Sequence, residues 1–345
     1  MSTDTLSEVL RAVRLSGAVF FAVDASAPWV AETPHASELR PYLMPGVEHV
    51  IDYHVITAGS CWGGLIGEEP VRLGTGDVIA FPHGDAHVIS SAPGMRGVPS
   101  RDAALKVATS RLPVVIEQNG GGPERARLIC GFLGCDMRPF NPLLATLPRM
   151  IHVPHLVSGQ GAPGDGALEH LIQVALVESS AKRAGGEVML ARLSELLFVE
   201  VVRRYVANLP SESASWLAGL RDESIGRALG KLHDRPAHAW SLEDLAREVG
   251  MSRSVLAERF NHFVGAPPMQ YLAQWRMQLA ANLLASTTMG LAEIADKVGY
   301  GSESALSRAY KRWVGVAPAE WRRNKQGGAS PVPGAIAATA SLTPE

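Results

Sequence analysis

SLEDLAREVGMSRSVLAERFNHFVGAPP, residues 241–268, and GLAEIADKVGYGSESALSRAYKRWVGVAP, residues 290–318, are two copies of one helical pattern. In each copy a glycine ends a first amphipathic segment, and a serine stands where it would cap a second one. Helix, glycine turn, helix is the layout of a helix-turn-helix unit, whose second helix enters the major groove of DNA. The sequence therefore predicts two such units, at residues 241–264 and 291–314.

The segment between the two copies, residues 269–287, contains neither glycine nor proline and consists mainly of strong helix formers. About 18 residues at ~1.5 Å each form a rod of roughly 27 Å. Successive major grooves on one face of B-DNA lie ~34 Å apart. Because the two units add their own width, the rod would place both recognition helices in adjacent grooves.

Residues 225–323 resemble the DNA-binding domain of AraC-type transcriptional regulators. The signature is G-Y-x-S-x-S, then L-S-R-A-Y-K-R, then G-x-x-P-x-x-W-R, within residues 299–322. The first 160 residues resemble the cupin-like regulatory domain of one branch of that family. Members of the family mostly activate transcription by engaging RNA polymerase, so the resemblance implies double-stranded DNA and RNA polymerase as partners.

The residues expected to contact DNA follow from the two recognition helices. Arg253 and Arg308 are the candidates for guanine, because a guanidinium can bridge O6 and N7. Glu258 would accept from cytosine N4 or pair with an arginine on the helix surface, and Ala257 would offer apolar contact. The other base-facing candidates are Ser254, Glu303, Ser304 and Ser307. Phosphate contacts are expected from Arg276, Lys311, Arg312 and the backbone N–H groups at Ser252 and Ser302, although Lys311 and Arg312 could also be merely solvated.

The N-terminal part, residues 1–160, has short apolar runs separated by glycine and proline, which predicts a cupin-like antiparallel β-barrel. Residues 76–87, GDVIAFPHGDAH, resemble the second cupin motif and direct His87 into the barrel. The stretch matching the first motif supplies only His54, whereas a metal site needs three or four ligands. We therefore expect no metal or other cofactor, and assign His54, Trp62 and His87 to a pocket for an unknown small-molecule effector.

Two alternatives to this assignment remain open. The first is a metal-dependent cupin enzyme with an accessory DNA-binding domain, which would need a complete ligand set around His54 and His87. The second is a regulator whose barrel is only a scaffold. Cys61, Cys130 and Cys135 are expected to be buried and inert, although a thiol switch or a zinc site that includes Cys130 and Cys135 would use the same residues.

Two amphipathic helices are predicted within residues 161–218. Their wide apolar faces could pack on the barrel or on a partner subunit, and we favour a homodimer interface. The DNA-binding domain then occupies residues 219–325, and residues 326–345 read as a disordered tail. The chain is thus multidomain: a barrel, amphipathic helices, and an all-α domain with two helix-turn-helix units.

Charge and composition agree with a cytoplasmic regulator that does not act on membranes. Residues 1–220 carry 17 basic and 22 acidic side chains, whereas residues 221–325 carry 15 and 11, a net charge of +4. The basic excess coincides with the repeated helices, as a nucleic-acid surface requires. Three cysteines argue against a disulfide framework, and the N-terminal stretch has no secretory signal pattern. No enzymatic activity is expected.

Overall fold

The computed structural model describes residues 4–99, 113–155, 166–181, 183–210 and 212–327. Its N-terminal half is a curled, cupin-like sheet, and its C-terminal half is helical. No helix in these ranges is long and apolar enough to cross a membrane. The predicted tail lies outside the described residues from residue 328 onward, and the last helix continues to Gly327, two residues past the predicted domain end.

Nine strands in the described ranges form the sheet: β1 Ser16–Ser26, β2 Val30–Thr33, β3 His49–Leu65, β4 Val71–Gly74, β5 Val78–Phe81, β6 His87–Ser90, β7 Val114–Asn119, β8 Arg125–Cys135 and β9 Ile151–Val153. The order β2-β6-β3-β8-β1-β7 forms the main path, with β4 and β5 also on β3 and β9 on β5. The long strand β3 pairs with four neighbours, which curls the sheet around one apolar interior.

The sheet differs from the sequence-based expectation in three respects. Two predicted runs around residues 49–65 are one continuous strand, because a bulge near Ile56 and Ala58 turns β3 without ending it. Strand β7 lies in a stretch that its Gly- and Pro-rich flanks mark as loop. It also pairs in parallel with β1, whereas a purely antiparallel barrel was expected.

The sheet has a packed layer on each side. Inside the curl, residues such as Ile56, Leu73 and Phe81 are buried. On the outer face, Val55 and Leu133 join a second core with helices α4, Ala167–Ala181, and α5, Gly186–Ala207. The Tyr53 hydroxyl, 2.6 Å from Ser194 Oγ on α5, ties the two layers together. One face of each predicted middle helix therefore packs within the chain.

The remaining helices of the N-terminal half are short. They are α1 Thr5–Ala12, α2 Ala36–Leu43 and α3 Pro142–Thr146. Helix α1 ends before the expected position near Leu15, because Arg14 takes a positive φ of 48° and turns the chain into β1.

The C-terminal half contains α6 Trp216–Arg221, α7 Glu223–Asp234, α8 Leu242–Val249, α9 Arg253–Val264, α10 Pro268–Ser286, α11 Leu291–Lys297, α12 Glu303–Val314 and α13 Pro318–Gly327. Helices α8 and α9 form the first predicted unit, and α11 and α12 the second. The Trp216 indole N–H donates to the Tyr271 hydroxyl at 2.9 Å, so α6 belongs to this half. The predicted boundary at residue 218 would cut through α6, whereas the boundary between the two halves lies before this helix.

The two halves touch through a specific polar contact. The side-chain amides of Gln278 and Asn282, both on α10, donate to the Ala12 carbonyl at the end of α1, at 3.0 and 2.9 Å. The Phe140 backbone N–H donates back to Gln278 Oε1 at 3.0 Å. Gln278 is buried and Asn282 is half-buried, so the bond from Gln278 to the Ala12 carbonyl is made away from water. We name this set, Ala12, Phe140, Gln278 and Asn282, the interdomain contact.

Candidate nucleic-acid interface and effector site

Both helix-turn-helix units use the same local chemistry. Gly250 and Gly299 have φ of +72° and +78°, the left-handed conformation that glycine adopts at little cost at the end of a helix. Ser252 and Ser302 then accept the backbone N–H of Val255 and Ala305, at 3.4 and 3.2 Å, and so begin α9 and α12. In both units the capping hydroxyl also lies close to the serine two positions on, Ser254 or Ser304.

The outward face of α12 is basic. Leu306 and Tyr310 are buried, which turns the opposite side of the helix to solvent. Arg308, Lys311 and Arg312 are exposed there, together with Ser304, and Ser307 is half-buried at the edge. Glu303 is exposed at the first turn. The predicted base and phosphate contacts of α12 therefore lie on one solvent-exposed face.

The outward face of α9 is close to neutral. The positions that match Arg308, Lys311 and Arg312 are Glu258, Asn261 and His262, all exposed. Arg253 is exposed too, but its guanidinium is paired with Glu243 of α8 at 2.5 Å. Ala257 is half-buried, and Val255, which the sequence reasoning missed, is 44% exposed at the first turn. Val255 stands three residues after the Ser252 cap, and an exposed apolar side chain on a recognition helix can contact a thymine methyl.

Arg276 is placed differently from its predicted role. It lies on α10, half-buried, and its Nε and Nη2 donate to the carbonyls of Pro236 and His238 at 2.7 and 2.8 Å. Burial lowers the pKa of this guanidinium from its usual value. A guanidinium that already donates two hydrogen bonds to these carbonyls is poorly placed to hold a phosphate.

Inside the curled sheet, His54 of β3 and His87 of β6 meet. Their Nε2 atoms are 2.8 Å apart, and the ring of Phe81 stacks on His87 at 3.8 Å between ring centres. His87 Nδ1 lies 2.9 Å from the Asp85 carbonyl, which can only accept, so Nδ1 carries a proton. In a neutral His87, Nε2 is then the acceptor and His54 Nε2–H the donor. Burial lowers the pKa of both imidazoles, to about 4 for His87.

Asp52 is the member of this cluster that sequence reasoning missed. It precedes His54 by two residues on β3, so both side chains point into the interior, and Asp52 Oδ2 lies 3.9 Å from His87 Nδ1. Neither carboxylate oxygen has a hydrogen-bond partner among the described residues, and burial raises the Asp52 pKa well above its usual value. Alternation with His54 was the signal that could have identified it. We name Asp52, His54 and His87 the buried polar cluster.

The other predicted N-terminal sites lie elsewhere. Trp62 is half-buried, and its neighbours Cys61 and Gly63 face the interior, so strand alternation turns Trp62 away from the buried polar cluster. All three cysteines are free and buried, and burial raises the pKa of Cys61 and Cys135 to about 12. Cys130 and Cys135 point to opposite faces of β8, as predicted. Within the described ranges, no three His, Cys, Asp or Glu side chains are grouped to hold a metal ion.

Asp52→Asn should raise the melting temperature at about pH 7.5 by a few degrees. An unfolded aspartate is ionised above about pH 4, whereas burial favours the neutral form of Asp52, so folding at neutral pH carries a cost that asparagine removes. The Asp52 contribution is favourable below the unfolded pKa and is lost as pH rises through the folded pKa. The gain from Asp52→Asn should therefore shrink toward about pH 4.

The matched control is Glu32→Gln. Glu32 is also buried, but its carboxylate accepts two hydrogen bonds from Arg96, which lower the Glu32 pKa. This substitution should destabilise the protein at neutral pH. Thermal melts of both variants across pH test the pair. A loss of stability in Asp52→Asn at about pH 7.5 would mean that a hydrogen-bond partner stabilises the ionised Asp52 carboxylate in the folded protein.

Comparisons with known proteins agree with this geometry. Residues 4–207 match the family model described as Cupin, and residues 245–324 match one described as Helix-turn-helix domain. The chain is 32% identical over 276 residues to an AraC-like transcription regulator of Streptomyces antibioticus, covering 80% of this chain and 88% of that protein. It is 31% identical to the HTH-type transcriptional regulator AlkR of Acinetobacter baylyi, over 78% of this chain and 87% of AlkR.

Among solved structures, the DNA-binding domain of AdpA in complex with a target DNA covers 31% of this chain, with 25% sequence identity and a TM-score of 0.30. The family rests on the sequence matches, which span most of the chain and of both named relatives. The predicted fold class is confirmed by the cupin match, the helix-turn-helix match and the observed architecture. The chain belongs to the AraC-like transcription regulators, DNA-binding proteins that carry a cupin-type sensing domain ahead of a helix-turn-helix domain.

Proposed function

We propose that this regulator is a cytoplasmic homodimer that activates transcription through RNA polymerase when a small molecule binds its cupin domain, and that it has no catalytic activity of its own. The observation that supports DNA reading most directly is the exposed basic face of α12, beside a second unit with the same caps. The activating role is inferred from the resemblance to the AraC type.

The test of DNA binding begins with the promoter fragments that the purified protein retains from its own genome. A mobility-shift titration on such a fragment should give sub-micromolar affinity. Binding should weaken steeply with salt, because counterions are released from every phosphate that the protein contacts. Salt-independent retention, or equal affinity for unrelated fragments, would contradict sequence-specific regulation. Transcription from the retained promoter, measured with and without the protein, gives the sign of regulation.

The dimer is supported by apolar side chains that remain exposed on α4 and α5. Val174, Val177, Val188, Met189 and Leu196 are 47–66% exposed. The opposite faces of these two helices already pack on the sheet, so packing within one chain does not bury the exposed side chains. A second copy of the same helices would bury them, as symmetric dimer interfaces do.

Leu196→Glu should convert the dimer to a monomer, because it places a charge within this apolar set. Sedimentation velocity at micromolar concentration measures the change. Leu196→Met is the matched control, since it keeps an apolar side chain of similar volume, and it should remain dimeric. An unchanged sedimentation coefficient for Leu196→Glu would exclude these helices as the interface.

For the effector, the buried polar cluster is the candidate contact in the cupin domain. Its unpartnered Asp52 oxygens and His54 Nδ1 offer polar atoms that a ligand could satisfy. A signal there could reach α10 through the interdomain contact, provided that the effector binds one arrangement of the two halves better than the other. Thermal-shift screening with cell metabolites tests this step, because a true effector stabilises the folded state. A ligand whose stabilisation is unchanged by His54→Gln would bind elsewhere.

A further inference from the structure

Arg276 joins three parts of the DNA-binding domain. It projects from α10, the helix between the two units, and its guanidinium holds the carbonyls of Pro236 and His238. Those carbonyls belong to the loop 235–240, which leads directly into α8 and so into the first unit. The guanidinium carbon also lies 5.9 Å from the centre of the Tyr300 ring, in the turn of the second unit.

The turn of the second unit also touches this loop. Gly299, in the turn of the second unit, lies so close to Ala237 that an added Cβ would come within 2.7 Å of the Ala237 Cα and carbonyl oxygen. Gly299 also has φ of +78°, so the position suits glycine on two grounds. We name the set Pro236, Ala237, His238, Arg276, Gly299 and Tyr300 the clasp.

The clasp has a mechanical consequence. Helix α10 joins the two units and packs on both of them. Tyr271 and Trp275 lie in one core with the first unit, and Ala281 and Leu284 lie in another core with the second. The clasp adds a second connection between the units and so closes a ring. Because the two units are then joined at two places, the orientation of α12 relative to α9 is fixed.

We propose that Arg276 is a positioning residue that fixes the distance and orientation between the two recognition helices, and thereby sets which spacing of the two contact sites the operator must have. This inference rests on the proposed reading of DNA by both units. Adjacent base pairs are about 3.4 Å apart along the duplex, so a small rotation of one unit would change the spacing that is read. A preorganised pair of helices also loses less entropy on binding than a loose pair.

The same variants should give different results if Arg276 acts through the clasp than if it binds a DNA phosphate. The experiment measures affinity over a salt series, using the retained operator and versions with one base pair inserted or removed between the two contact sites. Arg276→Met keeps the aliphatic stem but loses the guanidinium, and Arg276→Lys keeps the charge but loses the two-pronged donor. For both variants we expect about five- to twentyfold weaker binding at native spacing, reduced discrimination against altered spacing, and an unchanged salt slope.

Arg312→Met is the matched control, because Arg312 is exposed on α12 at a predicted phosphate position. It should lower the salt slope by about one and leave spacing discrimination intact. Tyr300→Leu, which removes the ring beside Arg276 but leaves both hydrogen bonds, should also relax spacing discrimination, whereas Tyr300→Phe should not. This pair keeps the test valid if Arg276→Met folds poorly, and thermal melts identify that case.

Three results would overturn the proposal. If Arg276→Lys binds like the wild type while Arg276→Met lowers the salt slope, Arg276 is a phosphate contact. If every variant discriminates between operator spacings as the wild type does, the clasp does not determine the spacing that the protein prefers. A wild type that binds with no dependence on spacing would instead refute the reading of DNA by both units, and the proposal would fall with it.

Discussion

Arg308→Ala should weaken binding to the specific operator by about 1–3 kcal/mol, which is roughly 5- to 150-fold. Arg308 is exposed at the centre of the α12 outward face, where a guanidinium can form two hydrogen bonds to guanine. The loss should be much smaller on non-specific DNA, because the proposed phosphate contacts by Lys311 and Arg312 would remain. Competition titrations on the operator and on a scrambled duplex measure both values.

The repeat provides the control for this prediction. Glu258 occupies the matching position on α9, so Glu258→Ala changes the same place on the other recognition helix. It removes a negative charge near DNA, and the overall affinity should be unchanged or slightly greater. If Glu258 accepts from cytosine, the variant will lose preference at one base pair only. An Arg308→Ala protein with unchanged specific affinity would show that the assigned face of α12 does not read bases.

Acidification to about pH 4.5 should destabilise the folded protein by several kcal/mol. Burial lowers the pKa of His87 to about 4 and of His233 to about 3. Unfolded histidines take up a proton below about pH 6.5, whereas these two stay neutral in the folded state. The free energy of unfolding is therefore greatest above about pH 6.5 and falls with pH, by about 2–3 kcal/mol for each histidine at about pH 4.5.

His233 allows the cleaner measurement, because the raised pKa of Asp52 acts in the opposite direction near His87. His233 lies in the core of the DNA-binding domain, with its ring tilted by 32° against that of Trp275 at 4.1 Å between ring centres. His233→Phe keeps an aromatic ring there and removes the titrating group. Denaturant unfolding at several pH values should show a shallower loss of stability in this variant. An equally steep loss would assign the acid sensitivity to other groups.

The sequence predicted the DNA-binding half well, because its elements are local. The Gly250 and Gly299 turns and the Ser252 and Ser302 caps are each specified within a few residues, and the structure places them as expected. The curled sheet was predicted as a class but not strand by strand. Pairing of β1 with β7 joins residues about ninety positions apart, and nothing local specifies that register.

Side-chain roles were predicted least well where contacts come from distant segments. From the sequence, an arginine on a polar helix face could bind a DNA phosphate or donate to a carbonyl forty residues away. Only the fold shows that Arg276 donates to the Pro236 carbonyl. Asp52 lies in a strand, and its place in the buried polar cluster depends on the meeting of His54 with His87, which lies on a different strand. Burial of a charge depends on all the elements that surround it. Spacing therefore could not assign the role of Arg276, and for Asp52 it indicated only that the side chain faces the same way as His54.

The interdomain contact limits how this protein can be recombined. The Ala12 carbonyl accepts hydrogen bonds from two side-chain amides of α10, and Gln278 Oε1 accepts a hydrogen bond from the Phe140 N–H. A chimera that joined this cupin domain to the DNA-binding domain of another regulator would leave the Ala12 carbonyl and the Phe140 N–H without partners. The exception would be a linker helix with side-chain amides at the same two positions. Each orphaned group would cost about 1–3 kcal/mol. The two halves are therefore best exchanged together, and grafts that carry α1 and residues 136–141 along with α10 should be the ones that fold.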